Sequence, residues 1–228
     1  MAKAVCFDLD GTLARYTGDF QALAALLRSE LMLHMCDMNS FYSTLSTELT
    51  RDGALTLEDS LRRVLDRLEQ RAPADLDRVA ADAARAYGED VRLLPGAKEL
   101  LERLDAAGVK MALLTNGPED MQKAAINVLG VARHFRAILV SGDRDVAARK
   151  PAPRIFSLAC TGLQMVPEQI VMVGDNVEAD IGGALDYGLQ AVLMDHGGTG
   201  APDRAPAGVP VVTSLAELSG LLDELLQV

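Results

Sequence analysis

Short apolar runs alternate with longer amphipathic stretches along much of the chain. The apolar runs are rich in valine, isoleucine and leucine, which is typical of β-strands that are buried on both faces. These strands are predicted at residues 4–9, 111–114, 137–140, 170–173, 191–194 and, more weakly, 209–212. Amphipathic helices are predicted at residues 96–107, 118–129, 153–160, 177–187 and 215–225. This alternation predicts an α/β fold: a doubly wound, Rossmann-like parallel sheet with helices on both faces.

Residues 15–92 interrupt this alternation, because their pattern is helical throughout. Four helices are predicted there, at residues 20–35, 40–51, 57–71 and 73–87. Helices joined by short loops in this way are typical of a small antiparallel bundle. The chain is therefore predicted to have an α/β core, formed by residues 1–14 and 93–228, with an inserted four-helix domain at residues 15–92. Residues 197–210 are rich in glycine, proline and alanine and are predicted to form a loop.

The charge and cysteine content of the chain exclude several kinds of binding partner and site. The formal net charge of −11 argues against nucleic acid and against anionic membranes, because both attract basic surfaces. The three cysteines, Cys6, Cys36 and Cys160, are far apart and lack the spacing of a metal site, which indicates reduced thiols. Residues 1–9 do not resemble a signal peptide, and no apolar run reaches the roughly 18 residues of a membrane span. We therefore expect a cytoplasmic protein.

Polar segments follow four of the predicted strands. Carboxylates at the end of a buried strand are costly unless they are paired, metal-bound or catalytic. Any one segment could be an ordinary turn, where aspartate and glycine are common. Four in order favour a functional site, because ligands bind at the carboxyl edge of open parallel sheets. The segments are Asp8-Leu9-Asp10-Gly11-Thr12, Thr115-Asn116-Gly117, Lys150-Pro151 and the acidic run from Gly174-Asp175 to Asp180.

In type and order, these segments resemble the four motifs of the haloacid dehalogenase superfamily. The resemblance is to the phosphatase branch that carries a C1 cap, as in phosphoglycolate phosphatases, and the inserted helices lie where that cap occurs. One position departs from the family pattern. Ala152 stands where the family often has aspartate after the lysine and proline, so a carboxylate near Lys150 is missing.

The resemblance implies how the acidic residues act. Asp8 would be the covalent nucleophile, as in aspartyl-phosphate enzymes. A Mg²⁺ ion would be bound by the Asp8 carboxylate, the Asp10 backbone carbonyl and Asp175, with Asp180 supporting it from nearby.

The resemblance also implies a phosphate-binding set. Lys150 and Thr115 would hold the oxygens of the transferring phosphoryl group, and the lysine would neutralise part of their charge. Backbone N–H groups of Leu9, Asn116 and Gly117 would add hydrogen-bond donors.

Asp10 indicates the class of reaction. Family phosphatases use this second aspartate as the general acid for the leaving group and then as the base for water. Dehalogenases of the superfamily have tyrosine there and need no metal, and phosphonatases have alanine. The resemblance thus predicts a Mg²⁺-dependent phosphatase that hydrolyses a small phosphorylated metabolite through an aspartyl-phosphate. Phosphoglycolate, sugar phosphates, acylneuraminate phosphates and nucleotides are all compatible with it.

Two other functions stay open from the sequence. A phosphomutase shares the first motif but passes the phosphoryl group to a second substrate site. A non-catalytic binding protein on the same fold is also possible, although every motif carboxylate and Lys150 are present. A homodimer is the expectation from the general frequency of small dimeric enzymes.

Overall fold

The computed structural model describes residues 2–196 and 205–227, so residues 197–204 of the predicted loop lie outside the described part. Six strands form a sheet in which every pairing is parallel, and two more form a separate antiparallel pair. The order in the large sheet is β5-β4-β1-β6-β7-β8. The strands are β1 (Ala4–Phe7), β2 (Ala14–Tyr16), β3 (Val91–Leu93), β4 (Lys110–Thr115), β5 (Ala137–Val140), β6 (Ile170–Gly174), β7 (Gln190–Met194) and β8 (Val211–Val212).

An α-helix lies within or across each of the predicted helical stretches, although several helices are shorter than predicted. The α-helices are α1 (Phe20–Glu30), α2 (Met38–Leu49), α3 (Leu57–Arg67), α4 (Leu76–Glu89), α5 (Ala97–Ala106), α6 (Glu119–Leu129), α7 (Pro153–Leu163), α8 (Gly183–Tyr187) and α9 (Leu215–Leu226). A π-helical turn, Val177–Gly182, occupies the first part of the helix predicted at residues 177–187. Within the described ranges, none of the helices is long and apolar enough to span a membrane.

Side chains leave the large sheet alternately toward its two faces, and each face has its own core. In β1, Val5 and Phe7 join the apolar cluster that includes residues of α5, α6 and α9. Ala4 and Cys6 of the same strand point into the second cluster, with residues of α7 and α8. Both faces are covered, which explains why the strands read as continuous apolar runs. The prediction of a doubly wound parallel sheet is confirmed.

Helices α1–α4, which we call the cap, are joined to the core by a two-stranded ribbon. In this ribbon β2 pairs antiparallel with β3, so the chain leaves and re-enters the core at adjacent points. This ribbon is not predicted from the sequence, because strands of three residues are too short to show a pattern. The domain boundaries after residues 14 and 92 fall within the ribbon and stay predictions.

Helix α1 ends earlier than its apolar pattern predicts, at Glu30 rather than at residue 35. The Arg28 guanidinium donates hydrogen bonds to the carbonyls of His34 and Cys36, at 2.7 and 2.8 Å. Met32 has a positive φ of 56°, which a continuing helix does not allow. The segment after α1 is therefore a turn folded back on Arg28.

The loop between α2 and α3 docks on the core through backbone groups. Leu55 donates to the carbonyl of Gly142 at 2.9 Å and accepts from the N–H of Glu119 at 2.8 Å. The N–H of Leu57, at the start of α3, donates to the Asp120 carboxylate at 2.9 Å. These bonds join the cap to the segments that follow β4 and β5.

The cap also packs on the core where α4 crosses α6. An added Cβ at Gly88 in α4 would lie 2.8 Å from the carbonyl carbon of Ala124 and 2.9 Å from its Cβ. Gly88→Ala therefore overpacks this contact, at a cost of about 1–3 kcal/mol. That exceeds the roughly 1 kcal/mol that alanine gains over glycine in a helix. We expect a lower Tm, measured by scanning calorimetry.

Gly220→Ala is the matched control for this substitution. Gly220 lies in α9, and an added Cβ there would meet no atom within 4 Å. The helical preference of alanine then acts unopposed, and we expect a higher Tm. A Tm that rises equally in both variants would contradict the close packing of α4 on α6.

Candidate active site

The predicted site residues converge at the carboxyl edge of the large sheet. Asp8 follows β1, Thr115 ends β4, and Asp175 follows β6, while Lys150 lies in the loop between β5 and α7. They surround a cavity of about 180 Å³, which we call the catalytic cavity. Its lining residues are Asp8, Asp10, Thr115, Asn116, Arg149, Lys150, Asp175, Asn176, Ala179 and Asp180.

Lys150 is the buried cation of this cavity. Its Nζ lies 2.5 Å from Asp8 Oδ1 and 2.7 Å from Asp180 Oδ1, and it donates to the Leu114 carbonyl at 2.7 Å. Burial opposes the charged form of the lysine, but the Asp180 and Asp8 carboxylates outweigh it and raise the Lys150 pKa above its ordinary value. Lys150 is therefore a fixed positive charge beside the predicted nucleophile.

Three carboxylates in the cavity are close enough to share a cation. Oxygens of Asp8, Asp175 and Asp180 all lie within 4.8 Å of one another. Asp8 Oδ2 is buried and has no hydrogen-bond partner among the described residues. Burial and the nearby Asp180 carboxylate raise the pKa of Asp175 to about 6, against the opposing effect of Lys150. Hard oxygen ligands of this kind suit a divalent cation such as Mg²⁺.

Glycine backbones allow these carboxylates to approach. At Gly11, whose φ is +85°, an added Cβ would lie 2.1 Å from Asp175 Oδ2. At Gly174 it would lie 2.4 Å from the Asp180 carboxylate. A side chain at either position would displace a candidate metal ligand.

Asp10 is held by two residues that the sequence analysis did not single out. Gln122 Nε2 donates to Asp10 Oδ2 at 3.0 Å, and the Tyr87 hydroxyl donates to Oδ1 at 3.4 Å. The Thr115 hydroxyl donates to Gln122 Oε1 at 3.1 Å, which fixes the orientation of the amide. Burial raises the pKa of Asp10, and the hydrogen bond from Gln122 opposes this rise.

Gln122 had a signal in the sequence, whereas Tyr87 did not. Gln122 lies beside Met121, Ala125 and Ile126 on the buried face of α6, where a polar side chain needs a specific partner. Tyr87 belongs to the apolar face of α4 and reads as core until the cap is placed over β1.

The residues after β4 hold Lys150 as well as lining the cavity. The Asn116 side chain accepts from the Lys150 N–H at 2.8 Å and donates to its carbonyl at 3.0 Å. These two hydrogen bonds hold the backbone of Lys150 in place, although residue 152 is alanine and offers no carboxylate. The substitution at residue 152 therefore leaves Lys150 well positioned.

The three backbone N–H groups that are predicted to bind phosphate differ in whether they already make a hydrogen bond. The N–H groups of Leu9 and Asn116 make no hydrogen bond within the described part of the chain. The Gly117 N–H donates to Ser141 Oγ at 2.9 Å. The Gly117 N–H would have to break this hydrogen bond before it could bind phosphate. Its predicted role as a phosphate donor is therefore less favoured than the roles of Leu9 and Asn116.

A second cavity, of about 240 Å³, lies between the cap and the core and adjoins the first. We call it the cap–core cavity. It shares Asp10, Asn116 and Arg149 with the catalytic cavity. Its other lining residues are Phe20, Ser46, Leu49, Thr50, Tyr87, Gly117, Pro118, Met121 and Gln122.

Comparison with known proteins agrees with this geometry. Residues 2–188 match the family described as haloacid dehalogenase-like hydrolase. The chain belongs to this family. A ribulose-1,5-bisphosphate 5-phosphatase from Halopiger xanaduensis is 36% identical, over 98% of this chain and 99% of the relative. A phosphoglycolate phosphatase from Salmonella choleraesuis is 28% identical, over 86% of this chain and 82% of the relative.

Both of these relatives are named phosphatases. This confirms the prediction that the chain is a phosphatase of the family. A crystal structure of a 2-haloacid dehalogenase from Pseudomonas syringae superposes with a TM-score of 0.74, at 23% identity, over 98% of this chain and 99% of that chain. That likeness shows the shared fold alone. The fold therefore does not separate dehalogenase from phosphatase, and the distinction drawn from Asp10 stays a prediction.

The Gln122 amide gives a test of this arrangement. Gln122→Met keeps the volume but removes both hydrogen bonds, which leaves Asp10 without its closest donor. Leaving a buried polar group unpaired costs about 1–3 kcal/mol, so we expect kcat for phosphate release to fall by roughly 5- to 150-fold.

Tyr87→Phe is the control for that substitution. It removes only the longer, 3.4 Å contact with Asp10. We expect a decrease of less than about fivefold, since a hydrogen bond of poor geometry contributes little. If the tyrosine variant loses more activity than the glutamine variant, Gln122 is not the residue that positions Asp10.

Proposed function

We propose that this family member is a Mg²⁺-dependent phosphatase that hydrolyses a small phosphorylated metabolite through an aspartyl-phosphate on Asp8. The observation that carries the proposal is the position of Asp8, which lies against Lys150 and within a group of carboxylates. Asp10 lies on the boundary with the cap–core cavity. A cytoplasmic location and a homodimer stay predictions.

In the first step an Asp8 oxygen attacks phosphorus and the bond to the leaving oxygen breaks, which forms an acyl phosphate. Lys150 offsets part of the negative charge shared by the carboxylate and the phosphoryl oxygens. A Mg²⁺ ion held by Asp8, the Asp10 carbonyl and Asp175 would supply further positive charge to these oxygens. Asp180 holds Lys150 in place and is close enough to join the ligands.

The Asp10 carboxyl transfers protons in both steps. Because it borders both cavities, it can donate a proton to the leaving oxygen as the phosphoryl group moves to Asp8. Its carboxylate then accepts a proton from the water that attacks the acyl phosphate, and Asp8 is released with inorganic phosphate. The hydrogen bond from Gln122 keeps Asp10 oriented through both steps.

The cap–core cavity would receive the leaving group. Its volume of about 240 Å³ is below the roughly 300–1,000 Å³ of pockets for drug-sized ligands, which favours a compact metabolite over a nucleotide. The named substrates of the two curated relatives, ribulose 1,5-bisphosphate and phosphoglycolate, belong to this compact class.

The nucleophile is tested by Asp8→Ala. We expect phosphate release from a nitrophenyl phosphate to require Mg²⁺ and to fall by roughly 10³-fold or more in this variant, because no acyl phosphate can form. Asp186→Asn, at an exposed position of α8, is the control and should retain activity. Activity that survives in Asp8→Ala would refute the assignment, and phosphate that fails to accumulate would favour a phosphomutase.

The general acid is tested by Asp10→Asn with two leaving groups. For an alkyl phosphate, whose leaving oxygen needs a proton, we expect kcat/KM to fall by about 10²- to 10⁴-fold. Nitrophenolate needs no proton to leave, so kcat/KM for nitrophenyl phosphate should fall much less. Equal decreases for both esters would show that Asp10 does not protonate the leaving group.

A further inference from the structure

Arg149 lies where the two cavities meet, and none of the proposed catalytic steps uses it. It precedes Lys150 in the chain and lines both the catalytic cavity and the cap–core cavity. Its backbone N–H donates to Asp52 Oδ1 of the cap at 3.3 Å. The side chain is therefore placed at the junction by the docked α2–α3 loop on one side and by Lys150 on the other.

The guanidinium of Arg149 has no hydrogen-bond or ion-pair partner among the described residues. Its Nη1 is buried and makes no hydrogen bond, and within the described ranges the side chain forms no ion pair. Burial lowers the Arg149 pKa, against the opposing charge of Asp52, yet a guanidinium stays protonated at neutral pH. A buried donor on a cation is costly when unpaired, so an anion that reaches it gains a strong contact.

The other described residues that line the cap–core cavity are apolar, neutral polar or, at Asp10, acidic. Phe20, Leu49 and Met121 supply apolar surface, and Ser46 and Thr50 supply hydroxyls. Among the described lining residues, Arg149 alone carries a positive charge. Asp10 is the one carboxylate among the same described lining residues, and it lies at the boundary with the catalytic cavity. Arg149 is therefore the group in the cap–core cavity that favours an anionic ligand.

We propose that Arg149 binds a second anionic group, a carboxylate or a phosphate, on the leaving-group side of the substrate. The inference rests on the proposed phosphatase activity and narrows its substrates to phosphate esters that carry another anion. The planar fork of arginine fits both kinds of anion through two parallel hydrogen bonds. The transferring phosphoryl group is bound separately, by Lys150 and the backbone donors.

Paired substrates test the inference. One pair is phosphoglycolate and its neutral amide, and the other is ribulose 1,5-bisphosphate and ribulose 5-phosphate. Within each pair only the second anionic group changes, so the ratio of kcat/KM values measures its recognition. We expect the wild-type protein to prefer the charged member of one pair, and the pair that shows the preference identifies the anion.

Arg149→Gln should reduce that ratio by about 10- to 100-fold, as expected for losing a hydrogen bond between charged groups. Arg149→Lys should recover part of it, because lysine keeps the charge but not the fork. Arg144→Gln, at an exposed position of the same loop, makes the same change of net charge and should leave the ratio unaltered. The Tm of each variant identifies any that fails to fold.

Three results would overturn the inference. A wild-type protein that hydrolyses these esters without preferring a charged member has no second anion site. A ratio that is unchanged in Arg149→Gln and Arg149→Lys, with kcat/KM for both members equally lowered, assigns the arginine to the transferring phosphoryl group instead. A wild-type protein that releases no phosphate from any of these esters or from nitrophenyl phosphate refutes the proposed function itself, and this inference falls with it.

Discussion

The contact of the Lys150 ammonium with Asp8 and Asp180 is the interaction on which the arrangement of the active site depends. It joins three segments that are far apart in the chain: the end of β1, the loop after β5 and the π-helical turn after β6. Without the lysine, buried carboxylates at the ends of adjacent parallel strands would repel one another and would take up protons. With it, one cation is shared by the Asp8 and Asp180 carboxylates, which offsets part of their repulsion.

Two adjoining cavities share Asp10, and in the proposed function one would hold the reacting phosphoryl group and the other the leaving group. The catalytic cavity is formed by core residues, whereas α1, α2 and α4 of the cap contribute to the second one. The Tyr87 hydroxyl brings the cap into contact with Asp10. The position of the cap therefore affects both the space available to a leaving group and the environment of the acid that would protonate it.

The sequence predicted what depends on local patterns. Strands that are buried on both faces form apolar runs, and the residues that follow them form recognisable motifs, so the sheet, the helices and the convergence of Asp8, Lys150 and Asp175 could all be anticipated. Tyr87 and Arg149 could not, because their importance depends on which atoms lie opposite them after folding, and the buried position of Gln122 on α6 signals only that it needs a partner, not which one. The ribbon of β2 and β3 was missed because its strands are too short, and α1 ended early because Arg28 stabilises a competing turn.

The docked loop between α2 and α3 has a consequence for the timing of the catalytic cycle. Any movement of the cap away from the core has to exchange the hydrogen bonds of Leu55 and Leu57 for bonds to water. Domain motions of this kind occur in microseconds to milliseconds and limit turnover in many enzymes. The strength of a few main-chain hydrogen bonds, remote from the reacting phosphorus, would then set the rate of product release. A product that contacts both the cap and the core would add to these bonds and slow its own release.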